Sequence, residues 1–309
     1  MKQQLQIQSN QSPVFAIDPQ RMMGIVSEIS NLLKLRIGFV MMLTALVAMV
    51  ATPGRSLGLF ETFILATAIL LSAGAAGAFN QYYEVDLDRL MPRTQNRPFV
   101  TGRFHKGPFW IAVMSMLLIV GVGSAALFLN GMAALYTFLG AFFYAIVSTV
   151  WLKRRSWMNI VIGGASGSFA VLAGAAAVDP HLGPVPILLS LALFFWTPSH
   201  FWSLAIAKRK DYASAHVPML PVIIGNQRAA HVVMVNTLVL VAISLMPFLF
   251  ELGWVYLICA ASGGALFIYR NYQMILDPSP RVAMKSFLAS LVQLVLLLIG
   301  AVLDVLLLG

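Results

Sequence analysis

Charge is the scarcest commodity in this chain. Of its 309 residues only 10% are Asp, Glu, Lys or Arg, against about 25% in average soluble proteins, and an ordinary soluble domain is thereby excluded. Acidic side chains are the rarer sign, eleven against twenty basic ones. Cysteine is nearly absent. The one present, Cys259, lies in an apolar run; a single thiol forms no intramolecular disulfide, and it reads as a small buried core residue. The first 24 residues lack the apolar h-region of a cleavable signal peptide. With only Lys2 and Arg21 as basic residues, they do not suit a mitochondrial transit peptide either. That Gln-rich segment, 1–24, with Pro13 and Pro19, reads as a flexible cytoplasmic tail ahead of one integral domain, 25–309, in a bacterial inner membrane.

What fills the chain instead is hydrocarbon. Hydrophobic residues make up 60% and the mean hydropathy is +0.85. Apolar stretches near 20 residues, long enough to cross a bilayer, recur along it. The expectation is an all-α polytopic membrane protein with nine spans, near 36–53, 57–79, 108–129, 131–151, 158–178, 184–206, 229–250, 252–270 and 284–308. The net charge of +9 raises nucleic acid as a partner, but its placement argues against one. With a cytoplasmic N-terminus, every Lys and Arg except Arg55 falls on the inner side, as the positive-inside rule requires. The basicity therefore reports orientation, and an odd number of spans sends the C-terminus to the periplasm.

Two inner connections, about 80–107 and 207–228, are longer and more polar than the rest. They lie four spans apart, which suggests four-helix units that each bring one polar cluster to a central cavity open to the cytoplasmic side. Runs of small residues, Ser72-Ala-Gly-Ala-Ala-Gly77 and Gly163-Gly-Ala-Ser-Gly167, permit close helix approach.

The first connection concentrates the chemistry. Asn80, Glu84 and Asp88 recur at i, i+4 and i+8, drifting only about 40° per step around a helix, so they share a face. Asp86 points the other way. Beyond Pro92, which should stop the helix, come Arg93, Thr94 and Arg97. Acceptor oxygens hold hard cations such as Mg2+, and guanidinium groups take up phosphate charge; together they suit a metal-bridged diphosphate. In the second connection His200, Lys208 and Asp211 recur at i, i+8 and i+11, with Tyr212 following. Asp211 is a candidate for a second cation site, Lys208 a phosphate point charge and His200 a substrate contact. Between them lies a basic loop with Lys153, Arg154 and Arg155, either topogenic or a cation wall for diphosphate. Asn159 is a polar contact at the start of the fifth span.

The spacing Asn80-x3-Glu84-x3-Asp88-x2-Met91-x-Arg93-Thr94-x2-Arg97-Pro98 resembles the first acidic motif of intramembrane prenyltransferases, in the form typical of the protohaem IX farnesyltransferase (haem O synthase) branch. Trp196-Thr-Pro-x-His200-Phe-Trp, Lys210-Asp211-Tyr212 and Pro218-Met-Leu-Pro221 are similar to that branch's second region. Trp151-Leu-Lys153-Arg154 and Asn159-Ile-Val-Ile-Gly-Gly164 are similar to a segment between the two. The resemblance spans about residues 30–300. It implies transfer of a farnesyl group from farnesyl diphosphate to a vinyl group of haem B, giving haem O for a downstream haem A synthase or terminal oxidase. It further implies Mg2+ on Asn80, Glu84, Asp88 and Asp211, and substrate contacts from Arg93, Arg97, Lys153, Asn159, His200, Lys208 and Tyr212. One departure touches the acceptor wall: where relatives carry a Pro-Pro pair, this chain reads Ser168-Phe-Ala-Val-Leu-Ala-Gly174. The rival readings are a prenyltransferase for another aromatic or tetrapyrrole acceptor and, from a different class, a transporter of an anionic metabolite. Transporters usually bind at the bilayer midplane in broken helices, whereas both clusters here lie at one membrane face.

Overall fold

A computed structural model describes residues 19–308; the expected tail's residues 1–18 lie outside the described residues. In chain order the helices are α1 (Pro19–Leu32), α2 (Leu35–Val50), α3 (Leu59–Tyr83), α4 (Val85–Arg89), α5 (Pro98–Thr101), α6 (Pro108–Phe128), α7 (Gly131–Phe142), α8 (Asn159–Val178) and α9 (Pro184–Ala207). They continue with α10 (Arg209–Ser214), α11 (Leu220–Ile224), α12 (Asn226–Leu245), α13 (Trp254–Leu276) and α14 (Pro280–Leu308). A π-wound stretch, Phe143–Leu152, prolongs α7, and a 3-10 turn, Met246–Leu249, prolongs α12. α1 starts inside the segment read from sequence as tail.

Seven of these helices are long and apolar enough to span a bilayer, and the bent α1–α2 pair makes an eighth. α13 falls where the eighth of nine spans was expected and is 23 residues long. It falls short of the apolarity of the others because its last turns carry Arg270-Asn271-Tyr272-Gln273. The long helices form a closed ring of neighbours. α2 packs on α3 and α8, α8 on α7 and α9, α9 on α12 and α14, and α14 on α13 and back on α2.

Glycines permit close backbone approaches at two places that shape the site. A Cβ on Gly174 of α8 would lie 1.9 Å from the Ala45 carbonyl oxygen of α2, so only hydrogen fits there. A Cβ on Gly77 would come within 3.1 Å of the Leu33 carbonyl oxygen and 3.2 Å of the Lys34 Cβ. Helix ends are satisfied locally or in trans. Asn130 Oδ1 accepts from the Ala133 N–H at 2.9 Å to cap α7. Asp304 of α14 accepts from the Gly253 and Tyr256 N–H groups at 2.5 and 3.1 Å, capping α13 from another helix. Each long polar connection folds into two short helices, α4 and α5 after α3, and α10 and α11 after α9.

Candidate active site

The site starts where α3 runs out. Glu84 leaves α-helical geometry (φ −92°, ψ 20°), yet its N–H still donates to the Asn80 carbonyl at 3.0 Å, and the Asp88 N–H to the Glu84 carbonyl at 2.9 Å. The i to i−4 rhythm thus survives the break, and Asn80, Glu84 and Asp88 all remain buried, none more than 3% exposed. Asp86 stands away, on the exposed side, paired through two 2.7 Å hydrogen bonds with Arg154. Those bonds hold the Asp86 carboxyl below the usual carboxylate value.

Each buried acceptor meets a cation from a different segment. Lys153 Nζ lies 2.5 Å from Glu84 Oε2. Arg97 Nη1 lies 2.6 Å from Asp88 Oδ2. Lys34 Nζ donates to Asn80 Oδ1 at 2.6 Å and to the Tyr144 hydroxyl at 2.8 Å. The Asn80 amide donates onward to Thr149 Oγ1 at 3.0 Å. The chain after Pro92 folds back because Thr94 Oγ1 donates to the Asp88 carbonyl at 2.9 Å, and this return delivers Arg97. Arg93 donates to the Tyr212 hydroxyl at 3.0 Å and lies over its ring at 5.0 Å, tying the first connection to the second. Burial pushes the Asp88 carboxyl up from its ordinary value, with Arg97 pulling the other way. Burial likewise pushes the Tyr212 hydroxyl up.

Two backbone irregularities bring the distant donors in. Lys34 sits in the break between α1 and α2, whose axes differ by 58°, and it adopts left-handed geometry at φ 49°. Non-glycine residues hold that conformation only where the surroundings enforce it. Here Gln81 Nε2 supports it by donating to the Asn31 and Leu32 carbonyls at 2.6 and 3.1 Å, and Gly77 leaves room for the turn. The second irregularity is the π winding of 143–152. Nine residues make about two and a half turns of an α-helix, which would set Tyr144 and Lys153 on opposite faces. With roughly one residue more per turn, the same interval is about two turns, so Lys153 reaches Glu84 while Tyr144 reaches Lys34.

Other sequence candidates lie elsewhere. His200 is buried in α9, its Nδ1 2.6 Å from Ser290 Oγ. Lys208, on the continuation of the same face, is exposed between α9 and α10. Burial separates what helical phase alone had grouped. The Asp211 carboxylate makes no ion pair or hydrogen bond among the described residues, and no metal-holding group of three His, Cys, Asp or Glu side chains is found among them. Asn159 is buried, but its amide donates to the Ser156 carbonyl at 2.6 Å and caps a loop. Sequence reasoning missed Lys34, Tyr144 and Thr149. Lys34 was visible only as one of the inner-side charges, and Tyr144 and Thr149 carried no signal without the π winding.

The donor set fits one hard cation. Among the described residues no three His, Cys, Asp or Glu side chains converge, but Mg2+ is typically held by one or two carboxylates plus substrate phosphate oxygens. Glu84, Asp88 and the Asn80 carbonyl meet that pattern, and Glu84 Oε1 is buried without a partner. The basic side chains Lys34, Arg93, Arg97 and Lys153 outnumber the carboxylates Glu84 and Asp88, which leaves room for a polyanion.

A buried cluster of acceptors and surplus cations at one end of an apolar helix ring defines a polytopic membrane protein made to hold an anionic head group beside lipid. The chain belongs to the UbiA prenyltransferase family, whose model matches residues 41–297. It is 50% identical to protoheme IX farnesyltransferase 2 of Paramagnetospirillum magneticum over 91% of this chain and 98% of that protein. It is 45% identical to protoheme IX farnesyltransferase 1 of the same organism over 89% and 96%. Its fold matches a digeranylgeranylglyceryl phosphate synthase structure with a TM-score of 0.77 at 16% identity, over 92% of this chain and 99% of that one. It also matches a UbiA homologue from Archaeoglobus fulgidus bound to GPP and Mg2+, with a TM-score of 0.66 at 17% identity over 87% and 99%.

Proposed function

We propose that the protein transfers the farnesyl group of farnesyl diphosphate to a vinyl group of haem B, yielding haem O. The observation that carries this reading is the matched array: three buried acceptors on successive turns, each facing a cation from a different segment, in a chain half identical to a protoheme IX farnesyltransferase. Asn80, Glu84 and Asp88 would hold Mg2+, which supplies charge neutralisation of the leaving diphosphate. Lys34, Arg93, Arg97 and Lys153 bind the remaining phosphate oxygens and keep the released diphosphate from recombining. The farnesyl C1–O bond breaks with its electron pair leaving on diphosphate. The terminal vinyl carbon of haem supplies the pair for the new C–C bond, water adds to the neighbouring carbon, and a proton is lost to solvent.

Apolar space between the helices would serve the tail. A cavity of about 220 Å3 between α3, α6 and α7 is lined by Ala75, Ala76, Phe79, Met114, Leu118 and Phe142. Ala76 lies one helical turn deeper than Asn80 on the same face, so an isoprenoid anchored at the acceptors extends directly into hydrocarbon. The nine-helix count, the cytoplasmic opening of the site, the bacterial inner membrane and a periplasmic C-terminus complete the reading, supported by the sidedness of the Lys and Arg residues.

The test is product formation by purified protein with haem B, farnesyl diphosphate and Mg2+, followed by mass. A haem product heavier by one farnesyl group and one hydroxyl group is expected. Farnesylation of a phenolic acceptor with haem B left untouched would overturn the acceptor, and diphosphate uptake into vesicles without product would overturn the enzyme.

A further inference from the structure

Two segments bring cations to the acceptors: the α1–α2 break with Lys34, and the chain that returns after Pro92 with Arg97. One outer contact joins them. Arg103 pairs with Glu28 of α1, and Leu32, fully buried, packs in one cluster with Phe99, Phe104 and Trp110.

α1 carries more apolar face than this contact covers. At 100° per residue, Leu32, Ile29, Leu33 and Val26 fall in turn along an arc of about 120°, wide enough for an apolar stripe. The Leu32 end of the arc is buried, whereas Ile29 and Val26 at the other end are 40% and 63% exposed. Ser27 and Asn31, both exposed, take the opposite side of the helix.

Direction and depth decide what covers that stripe. Val26 precedes Leu32 by about 9 Å along the helix axis. α1 leaves the line of α2 at 58°, so only about 5 Å of that length runs along the span. The interfacial layer on each side of the hydrocarbon is about 5–7 Å thick, and Val26 therefore stays within it. At 14 residues, α1 is too short to cross a bilayer and amphipathic enough to lie in its surface. The exposed apolar surface continues onto its neighbours: Ile37 and Phe39 in α2 and Phe109 at the start of α6 are each more than half exposed. Phe104 and Trp110, ring centroids 4.7 Å apart, supply aromatics at the same level, as membrane interfaces favour. The charges at this corner are of one sign. Arg36, Arg103, His105 and Lys106 are exposed, and Glu28 is the one acidic residue in 24–36 and 93–107.

We infer that α1 is an interfacial helix docked on an anionic bilayer surface. Val26 and Ile29 dip into the acyl boundary beside α2 and α6, and Arg36 and Lys106 take the phosphates of anionic phospholipid head groups.

The experiment places a nitroxide label at Val26→Cys or, one residue round the helix, at Ser27→Cys, each in full-length protein with Cys259→Ser. Collision with oxygen, which concentrates in lipid, is compared with collision with a water-soluble nickel chelate in nanodiscs of phosphatidylcholine, with and without phosphatidylglycerol. The label at 26 is expected to meet oxygen more than nickel and the label at 27 the reverse. Phosphatidylglycerol should deepen position 26, and Arg36→Gln/Lys106→Gln should abolish that shift. Equal nickel access at 26 and 27 would show a face turned to water and overturn the docking. A label at 26 shielded from both probes would show a protein cover, a second copy or another partner, and overturn it as well. Immersion at 26 that ignores phosphatidylglycerol would overturn the anionic head group as the partner.

Discussion

Replacing Glu84 by Gln removes one charge and no volume, which makes it the cleanest probe of the acceptor cluster. Glu84 is 1% exposed and its Oε2 lies 2.5 Å from Lys153 Nζ, a side chain that retains 23% exposure. Orphaning one partner of a fully buried ion pair costs about 3–5 kcal/mol. Lys153 can still turn to water, so the stability loss expected here is smaller, about 1–2 kcal/mol. Catalysis should suffer more. A carboxylate that would hold the cation neutralising the departing diphosphate is comparable in effect to an oxyanion-stabilising group, whose loss costs roughly 10²–10³-fold in turnover. The double variant Glu84→Gln/Lys153→Met separates the two effects, because removing the orphaned ammonium should recover about 1 kcal/mol of stability while leaving activity as low as in the single variant. Denaturant unfolding in mixed micelles measures the first quantity and product mass the second. If Glu84→Gln keeps more than about a tenth of wild-type turnover, or if the two stability losses merely add, the pairing carries neither role assigned to it.

Arg97→Ala should raise the Michaelis constant for farnesyl diphosphate about tenfold or more, by loss of a charge-assisted phosphate contact, and leave that for haem B nearly unchanged; steady-state kinetics with each substrate varied in turn checks this. Asp86→Asn should leave turnover within a fewfold of wild type, since its carboxylate is exposed and engaged by Arg154; the three carboxylate variants assayed side by side rank it. Arg154 holds the Asp86 carboxyl below its ordinary 3.8, so the pair's contribution is complete above that value and disappears as pH falls through the lowered one, where melting curves of Asp86→Asn and wild type should converge. Gly174→Ala should cost at least the roughly 1–3 kcal/mol of an overpacked core, because its Cβ would collide with the Ala45 backbone rather than with a movable side chain; yield and thermal unfolding of the detergent-extracted variant report it.

Hydropathy and charge sidedness made the helical membrane architecture readable, because a bilayer demands long apolar helices and punishes misplaced Lys and Arg. The helical phase of Asn80, Glu84 and Asp88 was equally readable, since the backbone bonds at Glu84 keep the α rhythm. Lys34 was not. Its break contains neither proline nor glycine and depends on Gln81 and Gly77, some 45 residues away in sequence, approaching in space. Thr149 and Tyr144 escaped because a period of 3.6 residues is the wrong ruler for a π-wound segment. His200 and Lys208 were grouped by phase, and depth along α9 then put one inside and the other outside.

The pairing of every acceptor with a lysine or arginine has a consequence for the order in which ligands arrive. A divalent cation reaching the free protein alone would find one oxygen of each of Glu84, Asp88 and Asn80 engaged by Lys153, Arg97 and Lys34 and basic groups around them, so it would bind against repulsion. Diphosphate arriving first, or carrying its metal with it, draws Lys34, Arg97 and Lys153 onto its own oxygens and uncovers the acceptors in the same event. On the proposed reading the resting site resists free metal and is opened by its anionic substrate, so metal affinity is expected to be a property of the substrate-loaded protein.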